Sequence, residues 1–395
     1  TRLHEKSRGL GDVYKRQDLS GVQRPFEALK EKGALLARLG GDEFVIIFNG
    51  SGAREDAVRA AEQIMEVLDA PVEVGVETLK ISTSAGIALM PDHSSDAQGV
   101  MKDADTAMYQ AKQSGRGTYR VFDTKMADAA ITKLVLETDL RTALAEDQFL
   151  LHFQPQFEVA NGNLIGAEAL LRWKHPTRGV VYPDGFLTVA ESTGLLPEIG
   201  RFVLSEALRI SRTWPDFGAR PLRIAINMSA EELSVPEHIY FILDELKRSS
   251  FPASLLEIEI SESTAMVDDQ ILEKHLGLLR FAGVRFAVDD FGIGYSNLSR
   301  LKKLRFEVLK IDRSLLSGVD VDSESSALIS SILQMARALG LEVVAEGIEN
   351  RSQLEFLRAI GCDYAQGFSL GRPVDAGEFH KTMFASGNRL NCHTD

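Results

Sequence analysis

The sequence predicts an α/β protein: a TIM-type (β/α)8 barrel over its second half, preceded by a smaller α+β unit. Three observations carry this prediction. From Phe149 onward the chain alternates strand-like apolar runs with helix-like stretches, and eight such runs are present. Acids, amides and one lysine stand near the ends of these runs, where a barrel gathers its functional groups on one face. The 395 residues, 44% hydrophobic and 26% charged, suffice for two ordinary globular cores. An open doubly wound sheet is the alternative way to arrange the same alternation.

Residues 1–17, TRLHEKSRGLGDVYKRQ, show no apolar period, and Asp12 to Gln17 resembles the translation of a transposase adapter used in sequencing libraries. The stretch reads as an assembly artefact ahead of a natural protein that extends upstream, the alternative being a disordered basic tail. Leu19, Val22, Phe26 and Leu29 recur at helical spacing, with Pro25 shortening the helix. LLARLGGDEFVIIF places two apolar runs around Gly40 and Gly41, a hairpin pattern. A helix is expected over Ala53 to Asp69, a strand from Lys80, and a helix from Asp96 ending at Gly115. These make an α+β unit of residues 18–123. Residues 125–145 contain no Gly or Pro and carry Leu136, Leu140 and Leu144 on one face, so 124–144 reads as a connecting helix. The barrel, 145–386, draws its strands from FLLHFQPQFEV, LIGAEALLRW, LRIAINMS, LLEIEIS, VRFAVDDF, VLKID, LEVVAEGI and DYAQGF; a short tail, 387–395, follows.

A formal net charge of -13 argues against a general surface for DNA, RNA or anionic lipid, which reward clustered Lys and Arg. Any anionic ligand must then be held locally, by metal or by a few placed bases. Cys362 and Cys392 fit no zinc spacing and no disulfide framework, which suits a reducing cytoplasm. No apolar run approaches the length of a membrane span, and a membrane anchor upstream is left open.

In RFAVDDFGIGYSNL, two adjacent aspartates follow an apolar run and precede glycines. Neighbours in a strand point to opposite faces, so Asp289 and Asp290 share a site only where the pleat breaks. Two carboxylates in one site repel unless a cation lies between them. The alternative makes one aspartate a helix cap and leaves the other solvated. Near the other strand ends stand Gln154, Glu168, Asn227, Glu259 with Glu262, Lys310, Glu346 with Glu349, and Gln366. Oxygen donors without a His or Cys cluster select hard cations such as Mg2+ or Mn2+.

Here residues 149–382 resemble the EAL phosphodiesterases, which hydrolyse the bacterial messenger cyclic di-GMP. The naming motif is Glu168-Ala169-Leu170, followed by Arg172; NMSAEEL, EISES, DDFG, LKIDRS, AEGIE and AQGF supply the remaining motifs. The resemblance implies that Glu168, Asn227, Glu259, Asp289, Asp290 and Glu346 hold two Mg2+ or Mn2+ ions. It implies that Gln154, Leu170, Arg172 and Gln366 contact substrate, that Lys310, Glu168 and Glu349 serve catalysis, and that Glu262 supports the loop after the aspartates. Lys310 as a plain salt-bridge partner is the alternative for that residue. The expected product is linear pGpG, and the expected assembly a homodimer. Ile293 departs from the family's loop, which carries threonine there.

Residues 35 to 122 resemble a second family, the GGDEF diguanylate cyclases, through ARLGGDEF and GRGTYRVF. That resemblance implies a nucleotide site at Gly40, Gly41, Asp42 and Glu43, with GTP as its ligand. The family's first strand, with its metal-binding Asp, is missing from the sequence as given, and EKGA stands where the family's RxxD motif falls. Two other functions remain open: a non-catalytic cyclic di-GMP receptor, and a bifunctional cyclase and phosphodiesterase in the full-length protein.

Overall fold

The computed structural model describes residues 34–385 apart from short segments at 50–51, 70–71, 75–76, 80–81, 115–116, 215–220, 268, 293–297 and 320–322. The readings of residues 1–17, of the helix from Leu19, of Gly115, of Ile293 and of the tail lie outside the described residues.

Two compact units divide at Val135/Leu136. In the first, Leu35–Gly40 and Glu43–Ile47 pair antiparallel, as the double glycine predicts. Gly41 supplies the left-handed turn (φ 56°), and the Arg38 guanidinium donates to its carbonyl at 3.0 Å. Helices cover Ala53–Asp69 and Ala97–Gln113; the second is capped by Asp96, whose carboxylate accepts from Gly99 N at 2.8 Å. Of the strand expected from Lys80, Ala85–Ile87 is formed, paired in parallel with Tyr119–Val121. Gly86 lets the second helix lie close, since a Cβ there would meet the Ala104 carbonyl at 1.9 Å. The connecting helix runs Thr124–Ala145, and its Leu136, Leu140 and Ala143 are buried in the core of the second unit.

That second unit is a closed eight-strand barrel: β1 Phe149–Glu158, β2 Leu164–His175, β3 Arg223–Asn227, β4 Leu256–Ser261, β5 Arg285–Phe291, β6 Val308–Ile311, β7 Glu342–Ala345 and β8 Tyr364–Ala365. From β2 to β8 every neighbouring pair is parallel. β1 differs, running antiparallel to both β2 and β8. The alternation predicts parallel connections throughout, but the five residues between β1 and β2, Val159 to Asn163, are too few for a crossover and long enough only for a hairpin.

Helices such as Leu196–Ser211, Pro236–Ser249, Gln270–Phe281, Ser323–Leu339 and Arg351–Ile360 pack their apolar faces outside the strands. Their ends are punctuated as the sequence suggests: Asn350 forms a capping box with Gln353, and Gly361 (φ 74°) ends that helix in the left-handed region. At the amino-terminal mouth of the barrel the opening residues of several strands form a charged ring. Arg223 pairs with Glu342 at 3.0 Å, Arg285 pairs with both Glu342 and Glu257, and the Tyr364 hydroxyl donates to Glu342 at 3.1 Å. Among the described residues no helix is long and apolar enough to cross a membrane.

Candidate active site at the carboxyl ends of the strands

The site is built around Lys310 on β6, which is 1% exposed. Its ammonium lies 2.6 Å from Glu259, 2.7 Å from Glu346, 3.3 Å from Asp289 and 3.5 Å from Glu168. These acids come from β4, the end of β7, β5 and β2, so the barrel alone brings them together. Burial works against the ammonium, but Asp289, Glu168, Glu259 and Glu346 outweigh it and hold the proton well beyond the usual lysine range.

One cation among four carboxylates leaves an excess of negative charge, and the acids divide accordingly. Burial and the neighbouring Glu168 charge push Glu259 well above the ordinary carboxylate range. Burial lifts Glu346 to about 8, against the pull of Lys310. For Glu168, burial is overcome by Lys310 and by hydrogen bonds, and its pKa is lowered. Gln366 Nε2 donates to Glu168 Oε2 and Asn227 Nδ2 to Oε1, both at 2.7 Å. The other oxygen of Glu259, Oε1, is buried with no hydrogen-bond partner.

Among the described residues, no three Asp, Glu, His or Cys side chains converge at ligating distance. The Lys310 ammonium stands between the acids. The donor set nonetheless fits hard divalent ions: burial and neighbouring acids push two carboxyls toward neutrality, one buried carboxylate oxygen has no partner, and every donor is oxygen.

The paired aspartates sit on a bulge. Val288 is opposite Leu309 and Phe291 opposite Ile311, so β5 carries one residue more than β6. Asp290 takes the left-handed conformation there (φ 56°), and its amide donates to Asp289 Oδ1 at 2.9 Å. Burial, Asp289 and Asp312 raise the Asp290 pKa, so its carboxylate stands in the same negative field as the cluster. Glu262, buried just after β4, accepts from Gly292 N at 3.0 Å, in the turn after the aspartates.

Beneath Glu168 lies a layer of amides. Gln366 Nε2 donates to Gln154 Oε1 at 2.9 Å, Gln156 Nε2 donates to Gln366 Oε1 at 3.0 Å, and Gln154 Nε2 donates to Gly371 O at 3.2 Å. Gln154 reaches this layer from the reversed strand β1, directly opposite Glu168, and not from a strand's carboxyl end. Gln156, two residues on along the same face, was not anticipated; the period of two is the signal that would have included it.

Leu170 is half-buried beside Glu168. Arg172 is 5% exposed, donates to the Leu171 carbonyl at 2.7 Å, and leaves Nε buried without a partner. Above it the ring of Tyr182 lies 4.8 Å from the guanidinium carbon, a contact no motif announced. Glu349 is exposed, its amide accepted by Gln353 Oε1 at 2.8 Å, and it stands outside the ring of Lys310 partners. In the first unit Gly40, Gly41, Asp42 and Glu43 all lie exposed at the hairpin turn.

Family models match this chain twice: the EAL domain over residues 137–373 and the diguanylate cyclase GGDEF domain over residues 17–118. The bifunctional diguanylate cyclase/cyclic di-GMP phosphodiesterase MucR of Pseudomonas aeruginosa is 43% identical over 343 residues, 86% of this chain and 50% of that protein. The cyclic di-GMP phosphodiesterase PdeR of Escherichia coli is 34% identical over 372 residues, 94% of this chain and 56% of that protein. The chain thus spans about half the length of the curated relatives it matches. The solved structure of the PaMucR phosphodiesterase in complex with c-di-GMP superimposes with a TM-score of 0.59 at 44% identity, covering 62% of this chain and 99% of that one.

Proposed function

This chain belongs to the EAL-domain family, joined to a GGDEF domain, and from that premise we propose that it hydrolyses cyclic di-GMP to linear pGpG. One observation carries the reading: a buried lysine and four acids from four barrel strands meet at the face where such barrels work, with less positive charge than the acids require. Family membership makes divalent metal the expected complement. Glu168, Asn227, Glu259, Asp289, Asp290 and Glu346 would hold two Mg2+ or Mn2+ ions. When bound, such ions stabilise charge on the attacking and leaving oxygens of an in-line displacement at phosphorus.

The chain's own groups do the rest. Arg172 offers a buried, partly unsatisfied guanidinium fork that suits a phosphate oxygen. Lys310, held protonated, donates hydrogen bonds to an incoming water and keeps Glu259, Asp289 and Glu346 at fixed spacing. Gln366 and Asn227 fix both oxygens of Glu168. In the overall step a water oxygen adds to phosphorus, the bond from phosphorus to the ribose 3′ oxygen breaks, and the water's protons end on solvent and on that oxygen. GTP as a ligand of the GGDEF half and pairing into a homodimer belong to the same proposal, on the strength of the matched domains.

The deciding experiment is chromatography of products after incubating the purified chain with cyclic di-GMP and Mg2+ or Mn2+. Appearance of pGpG, abolished by EDTA, is the expected result. Tight binding without any product would move the chain to the receptor class.

A further inference from the structure

Tyr182 is 61% exposed, yet its ring is not free to wander. It follows the short strand Gly179–Val181, which pairs with the end of β2 through Val181 opposite Trp173. Its carbonyl accepts from Gly185 N at 2.9 Å, and Pro183 fixes the next turn. One face of the ring is covered by the Arg172 guanidinium at 4.8 Å. Arg172 itself is 5% exposed, with Nε buried and unpartnered. The molecule therefore presents, at the rim of the acid cluster, an exposed aromatic plane stacked on a buried guanidinium whose Nε still lacks an acceptor. Apolar packing explains neither part: the ring is exposed and the nitrogen is unsatisfied.

We propose that Tyr182 is the stacking platform for one purine base of the substrate, placing the adjoining phosphate against Arg172. A ligand with a flat heteroaromatic base next to a phosphate completes both features, since the base covers the open face of the ring and a phosphate oxygen accepts from the guanidinium. The inference rests on the cyclic dinucleotide reading above. It assigns to Tyr182 a role in binding and leaves the bond-breaking to the acid cluster.

The consequence is a split in kinetics. Base stacking on an aromatic side chain is worth about 1–3 kcal/mol per base, so Tyr182→Ala raises KM for cyclic di-GMP roughly tenfold while kcat changes by less than about twofold. Tyr182→Phe restores the KM. A second measurement is independent of cleavage. A cyclic dinucleotide carrying 2-aminopurine in place of one guanine, titrated in EDTA, is quenched on binding to the wild type and to Tyr182→Phe, and much less when bound to Tyr182→Ala. An unchanged KM together with full quenching in Tyr182→Ala would overturn the assignment, as would a fall in kcat at constant KM, which would make the ring a positioning element for Arg172 alone. If the wild type cleaves nothing, the phosphodiesterase reading fails by itself, and the quenching titration still decides the platform.

Discussion

One buried lysine faces four acids, and that imbalance gives the single residues of this site opposite signatures. Lys310→Met leaves four carboxylates without their cation, and breaking a buried charge set of this kind costs about 3–5 kcal/mol. The expected outcome is a lower unfolding temperature in EDTA, partly regained as Mg2+ or Mn2+ is titrated in; a melting curve indifferent to metal would sink the metal assignment. Glu168→Ala and Asp289→Asn remove acids and relieve repulsion, so both variants stay folded by circular dichroism while turnover of cyclic di-GMP is abolished. Asp290 holds a left-handed backbone that costs an aspartate about 1 kcal/mol and a glycine nothing. Asp290→Gly should therefore unfold at slightly higher denaturant yet lose activity at least tenfold, a trade of function against stability. Asp289 and Glu346 were legible in the sequence because each follows an apolar run, whereas Glu168 stands within one. The break in the pleat was legible as well, in two aspartates that end an apolar run ahead of glycines, but the left-handed turn at Asp290 itself was not, because its only local mark is a second aspartate where glycine or asparagine is the usual signal.

At the scale of elements, the helices behind β3 hold a second polar cluster that works on stability alone. Gly200 of Leu196–Ser211 lies under Glu232 of Ala230–Ser234 and His238 of Pro236–Ser249, close enough that a Cβ would meet Glu232 Oε1 at 2.0 Å and His238 Cε1 at 3.2 Å. Burial raises Glu232 to about 7, opposed by bonds from Ser229 and reinforced by Glu231, and burial with Arg201 lowers His238 to about 4. The signs oppose. The folded state keeps a proton on Glu232 that the unfolded chain releases above about 4.5, so this term loses stability as pH rises to about 7. The unfolded chain binds a proton on His238 below about 6.5 that the folded state refuses down to about 4, so that term loses stability as pH falls. Between about 4.5 and 6.5 the two cancel. Glu232→Gln should unmask stability that climbs with pH by about 1.4 kcal/mol per unit in that window, and His238→Phe the reverse slope. Denaturant melts across pH 4.5 to 6.5 check both; parallel flat profiles would refute the assignment. The strands and helices themselves were legible from periodicity, because long apolar runs bounded by Gly and Asn leave little choice. The reversal of β1 was legible too, in the shortness of Val159 to Asn163, but the alternation of strand with helix dominates a first reading.

For the whole molecule, the barrel separates its duties by end. The acid cluster occupies the carboxyl mouth, while Arg223, Glu257, Arg285, Glu342 and Tyr364 close the amino mouth with paired charges. Glu342 is 37% exposed, so solvent screens its pairing, and Glu342→Gln should cost no more than about 1 kcal/mol in stability with KM and kcat unmoved. A change in KM would mean that the two mouths are coupled. The seam between β1 and β8 has a further consequence, in the order of events as the chain folds. Two residue pairs, Tyr364 opposite Glu158 and Ala365 opposite Phe157, form the ladder across it, and the Gln156–Gln366 bond, one of those that cross it, joins residues 210 apart. Loops of that length close late, after the local hairpin of β1 and β2 has formed. Glu168 receives its Gln366 hydrogen bond only when this seam shuts. A refolding chain should therefore recover helical signal well before it binds a fluorescent cyclic dinucleotide, making ligand capture a clock for the last step of barrel closure.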